Sequence, residues 1–153
     1  MKRDATLDTL NKLIETSKDG EYGFRTAAEC VSNGDTRQLL MRRADECQQA
    51  AAELQTLVVK QGGKAEDSGS AVGAMHRGWI TVKSKLSSFP DRAILEETED
   101  GEDVAMESYR KALATPLPDD IRGVVERQYD GVKRNHLQIR ALRDQARATA
   151  DSR

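Results

Sequence analysis

Leu7, Leu10, Ile14, Ser17, Glu21, Phe24, Ala28 and Val31 follow one another at steps of three and four, so a single helical seam runs through about residues 4–32. A seam that long finds cover only against other long helices. Asn33-Gly34-Asp35 then reads as a stop followed by a new cap. A second helix over about 36–61 places Leu39, Arg43, Glu46, Ala50, Leu54 and Leu57 on one side, and Gly62-Gly63 ends it. With only two or three residues at the joint, the two rods must lie antiparallel, side by side.

Lys64 to Ser70 (KAEDSGS) is a polar linker, followed by a shorter helix over about 70–87 that carries Ala71, Met75, Trp79, Val82 and Leu86. Phe89-Pro90-Asp91 breaks the chain again, a third long helix covers about 91–114, and Thr115-Pro116-Leu117-Pro118 makes a tight corner. The last helix, about 119–148, has Ile121, Val125, Gln128, Val132, Asn135, Ile139, Leu142 and Ala146 as its seam. Two helical hairpins are therefore joined by a crossover of about 62–90 that has its own helix. That connectivity predicts an all-α, ferritin-like four-helix bundle, one domain over 1–153, with a generic five-helix bundle as the alternative.

Composition agrees with this reading. Hydrophobic residues make up 37% of the 153 residues and aromatics 4%, with 3 Pro and 11 Gly, too little turn and core material for a sandwich or barrel. No stretch approaches the roughly 18 apolar residues of a membrane span, and the opening MKRDATLDTLNKL has no apolar segment of a secretory leader, so no membrane association is expected. The formal charge of −2 excludes a global basic field for nucleic acid. Cys30 and Cys47 sit about 13 Å apart by axial rise and are expected to be reduced thiols of a cytoplasmic protein.

Carboxylates in the seams are the chief oddity. Glu21, Glu46 and Glu102 occupy core-side positions, Glu99 lies beside Glu102, Gln128 is inside the last helix and His136 on its shoulder. Folding the first hairpin about Gly34 brings Glu21 level with Cys47, next to Glu46. Folding the second about Pro116 brings Glu102 within a turn of Gln128 and Glu99 near Val132 and His136. Buried carboxylates need a cation, a proton or an arginine. One account is a metal site formed by Glu21, Glu46, Glu99, Glu102 and His136, with iron or manganese as the metal. The other is a metal-free polar network of Arg43 and Gln128, in which Arg43 neutralises Glu46 and Glu21. Di-metal bundles take Glu from two helices and Glu-x-x-His from the other two. Here the second helix offers Glu46-Cys47-Gln48-Gln49 and the last offers Gln128-Tyr129-Asp130-Gly131, so the histidines are missing and no cofactor is expected.

The stretches Leu10–Ile14 and Lys18-Asp19-Gly20-Glu21 resemble a widespread bacterial family of ferritin-like four-helix proteins classed as a domain of unknown function. So do Asp67–Ser70, His76-Arg77-Gly78-Trp79, Asp100-Gly101-Glu102-Asp103 with Tyr109, and Gln128 with His136–Arg140. The resemblance spans nearly the whole chain. It implies a ferritin-like bundle of unassigned function, within a superfamily that stores iron, reduces peroxide or oxidises substrates at paired carboxylates.

His76 and Trp79 are expected to anchor the crossover, with a small anion or partner site on His76, Trp79 and Lys83 as the alternative. Glu96, Asp100, Asp103 and Glu107 make an outward acidic stripe. It suits solvent, a basic partner or a second subunit, and the seven Arg and Lys residues of 122–147 are its complement. The reading that follows is a non-catalytic structural or interaction protein, stress-related and assembling as a dimer or with a protein partner, its metal site degenerate. The rivals are a metal-binding protein or di-metal oxidoreductase on the core carboxylates, and a redox sensor at Cys47.

Overall fold

The structure, a computed structural model, describes residues 2–64 and 70–151. Five helices follow in order: α1 (Lys2–Cys30), α2 (Gly34–Lys60), α3 (Ser70–Leu86), α4 (Asp91–Leu113) and α5 (Asp119–Asp151). The expected helices are all present, with no end displaced by more than three residues.

Local chemistry explains both ends of α2 and the two hairpin joints. Asn33 caps α2, its side chain accepting from the Thr36 amide at 3.0 Å. Gly62, at φ +82°, closes the other end of α2. The Gly63 amide donates to the Val58 carbonyl at 3.0 Å and the Gly62 amide to that of Val59 at 2.9 Å, the double return that only a left-handed residue permits cheaply. The two hairpins share a device at their joints. Arg37, in the first turn of α2, donates to the Ala28 and Val31 carbonyls at 3.1 and 2.8 Å. Arg122, in the first turn of α5, donates to the Leu113 and Thr115 carbonyls at 3.0 and 2.8 Å. In each case the second helix supplies the donors that the end of the first lacks.

At about 1.5 Å per residue, α3 climbs about 25 Å back along the bundle. It delivers α4 to the end where α1 and α2 join. There the Asp91 carboxylate accepts from the Ser32 and Asn33 amides at 2.8 and 3.0 Å. The crossover thus runs the length of the bundle, the ferritin-like connection. α1 packs along α2, α4 and α3, α4 packs along α5, and α2 meets α5 only lightly.

The core is divided. One apolar cluster gathers Leu10, Leu13, Ile14, Leu54, Val58, Ile121 and Val125, the other Phe24, Ala28, Val31, Leu40, Ile94, Leu95 and Ile139. Each draws on all four long helices. Trp79 fastens α3 to α1: its indole N–H donates to Asp19 at 2.6 Å, and its ring lies where a side chain on Gly23 would be, 3.0 Å from an ideal Cβ. His76 lies on α3 outside the residues whose side chains are described.

Two glycine substitutions should therefore have opposite signs. Gly101→Ala meets nothing within 4 Å and should stabilise by about 1 kcal/mol through helix propensity alone. Gly23→Ala pushes on the Trp79 ring and should destabilise by about 1–2 kcal/mol, with a red-shifted tryptophan emission, since overpacking exceeds the same propensity gain. Urea unfolding of both variants checks the pair.

Candidate functional site

Between the two apolar clusters the seams turn polar, and a cavity of about 840 Å³ passes through this layer, lined by all five helices. Arg43 stands in it, 5% exposed. Its Nη1 donates to Glu46 Oε2 at 3.1 Å, its Nη2 lies 3.5 Å from Glu102 Oε2, and its guanidinium sits 4.9 Å over the Phe24 ring. Asn135 of α5 donates to the same Glu46 oxygen at 3.0 Å.

Glu102 is 3% exposed, and neither of its carboxylate oxygens has a hydrogen-bond partner. The Arg43 contact is an ion pair at the limit of hydrogen-bond length and without hydrogen-bond geometry. Burial, opposed by Arg43 and reinforced by Asp103 and Glu99, pushes the Glu102 carboxyl up to about 7. One guanidinium thus serves two carboxylates.

Cys47 lies beside this pair, its sulfur 3.1 Å from where a Gly20 Cβ would be. Burial pushes its thiol up to about 11, against the pull of Arg43. That is a protonated, slow thiol, which speaks against the alternative of a redox sensor. Its native alkylation by iodoacetamide at pH 8 should run about 100-fold slower than in the urea-unfolded chain; equal rates would contradict the buried placement.

Gln128 stitches three helices. It accepts from the Tyr109 hydroxyl at 2.9 Å and donates to Glu53 Oε1 at 2.8 Å and to the Ala50 carbonyl at 3.4 Å. Burial pushes the Tyr109 phenol up to about 12, so it remains a donor. Glu53, which also binds Arg127, escaped the sequence reading. A buried tyrosine on the seam, needing a partner for its hydroxyl, was the available signal.

Several expected pairings are corrected. Glu21 binds Arg25, at 2.9 Å, rather than Arg43 or Glu46. Arg25 is one turn away on the same helix, so the pair forms without any tertiary placement. Glu102 does not meet Gln128. Across α4 and α5 the pairs are Tyr109–Gln128, Arg110–Tyr129, Asp103–His136 and Glu99–Arg143, farther from the joint than equal levels give. Side chains lean toward the N-terminus of their own helix, and in an antiparallel pair both leans add. His136 is 5% exposed, with Nε2 at 2.8 Å from Asp103 Oδ1 and 4.0 Å from Glu99, oriented without a hydrogen bond. Glu99 binds Arg143 and lies 3.5 Å from Arg140. Two members of the acidic stripe of α4 are paired within the chain, Glu96 with Arg147 and Glu107 with Arg110.

The five proposed ligands are thus dispersed: Glu21 to Arg25, Glu46 and Glu102 to Arg43, Glu99 to Arg143, and His136 beside Asp103. Among the described residues, no three His, Cys, Asp or Glu side chains come together in a way that could hold a metal ion. This donor set does not fit a dinuclear centre, because a fixed guanidinium already occupies the middle of it.

No curated protein matches the chain. Among solved structures, one similar to it is a dodecameric thioferritin, the bacterioferritin-related protein from Bacteroides fragilis. The TM-score is 0.76 and the identity 14%, over 97% of this chain and 90% of that one. At that identity the likeness is one of fold: the bundle is ferritin-like. The model of the family described as Domain of unknown function (DUF2383) matches residues 5–115. The chain belongs to that family.

Proposed function

We propose that this chain is a non-catalytic ferritin-like bundle that acts by association, with copies of itself or with a protein partner, in the bacterial cytoplasm. Arg43 supplies the central positive charge that a metal pair supplies in carboxylate bundles. The observation that carries the reading is the Arg43 guanidinium between Glu46 and Glu102, at 3.1 and 3.5 Å. Association is supported by the fold shared with a dodecameric protein and by large apolar side chains left exposed, among them Val104, Val59 and Leu137 at 68, 65 and 62%. No helix among the described residues is long and apolar enough to cross a membrane.

Elemental analysis of protein purified without chelator tests the first half. No stoichiometric iron or manganese is expected. About two metal ions per chain, lost in Glu102→Ala, would overturn the reading in favour of a di-metal oxidoreductase or iron-handling protein. Light scattering after size exclusion tests the second half. A dimer or larger assembly is expected; a monomer at every salt concentration, with nothing retained on pull-down, would contradict it.

A further inference from the structure

We propose that the cavity in the polar layer is a binding site for a small organic amine, its ammonium on the Glu102 carboxylate and its apolar body among Phe24, Tyr109, Trp79 and Val82. This goes beyond the reading above and stands or falls separately from it.

The volume, about 840 Å³, is that of a small-molecule site, and the lining combines aromatic and aliphatic side chains with few buried polar groups. The ligand's charge follows from the charges already present. Glu46 is half exposed and takes the Arg43 hydrogen bond, whereas buried Glu102 has Arg43 only at 3.5 Å and without hydrogen-bond geometry, so its charge is the one incompletely compensated. Glu102, 3% exposed, lines the cavity, and neither of its carboxylate oxygens has a hydrogen-bond donor. An ammonium carries one positive charge and three donors that need no planar geometry, so it satisfies both deficits at once. An anion would meet Glu102 head on. A divalent metal would find no group of three ligating side chains among the described residues. Asp19, Glu97 and Asp100 are in the exposed part of the lining and favour approach of a cation. Of the arginines in the lining besides Arg43, Arg127 is held by Glu53 and Arg134 is exposed.

A proton competes for the same carboxylate, since the Glu102 carboxyl is pushed up to about 7. The charged and titratable groups around it are Arg43, Glu46 and Cys47 from α2 and Glu99 and Asp103 from α4, with His136 of α5 against those last two. α1 contributes uncharged Ser17 and Phe24 to the same space, and α3 Val82 and Leu86. Amine and proton therefore compete. Affinity should be greatest above pH 7 and fall by about tenfold for each pH unit below it.

Trp79 is the chain's one tryptophan and lines the cavity, so its fluorescence reports on this site alone. Titration of the whole protein at pH 8 with hexylamine should give a saturable change, while hexan-1-ol and hexanoate give none. Glu102→Gln should weaken hexylamine by at least about tenfold, with its helical circular dichroism unchanged. The comparison of the three probes and the pH profile need no variant. An equal response to hexan-1-ol, undiminished binding at pH 5, unaltered binding in a folded Glu102→Gln, or no saturable response to hexylamine would each overturn the proposal.

Discussion

Arg43→Met should destabilise the protein by about 1–2 kcal/mol at pH 8, because the buried Glu102 loses the charge that holds its carboxyl down and must take up a proton to stay buried. In a chain of this length that lowers the thermal midpoint by roughly 2–8 °C. Glu46 contributes little to the loss, since its side chain is 43% exposed and water can take over from Arg43. The effect should shrink at pH 5, where Glu102 takes up a proton. It should also shrink when Glu102 is replaced in the same molecule: Arg43→Met with Glu102→Met restores an apolar layer and should recover most of the stability. A loss below about 1 kcal/mol in the single variant would mean that the guanidinium is not the ion that holds this layer together. Denaturant midpoints of the four proteins in the cycle decide it.

The second large effect is in pH. The Glu102 carboxyl titrates near 7 when folded, above its ordinary value of 4.5, so between those values the folded chain binds more protons than the unfolded one. Stability from this group is therefore fully present below about pH 4.5, falls as pH rises, and is gone above about 7, a change of about 3 kcal/mol. Glu102→Gln removes the titration. Measured against that variant, wild type should lose about 3 kcal/mol between pH 5 and pH 8. A difference that stays flat across this range would show that Glu102 is ionised throughout.

The helices and the polar layer were legible in the sequence because both rest on periodicity. The alternating steps from Leu7 to Val31 define a buried face, and counting back from Gly34 places Glu21 beside Cys47, as the contact of Cys47 with neighbouring Gly20 bears out. Periodicity assigns a residue to a face and a height, but it leaves the choice of partner open. Glu21 sits at the edge of its seam, where Arg25 on the same helix reaches it first. The second hairpin pairs farther from its joint than expected because long side chains lean along the helix. That lean puts His136 rather than Gln128 opposite the acids of α4. Glu53 could be found only by asking what Tyr109 and Gln128 would do once buried. The cavity had no sequence signature, since it is a space among five helices and belongs to no segment.

The two apolar clusters partition the molecule crosswise, with each hairpin giving part of its length to both. A protease cut between residues 64 and 70 would therefore release two fragments, each stripped of half of each cluster. Neither piece could fold unaided, and they would regain order only by finding one another. The two halves of the chain are obligate partners.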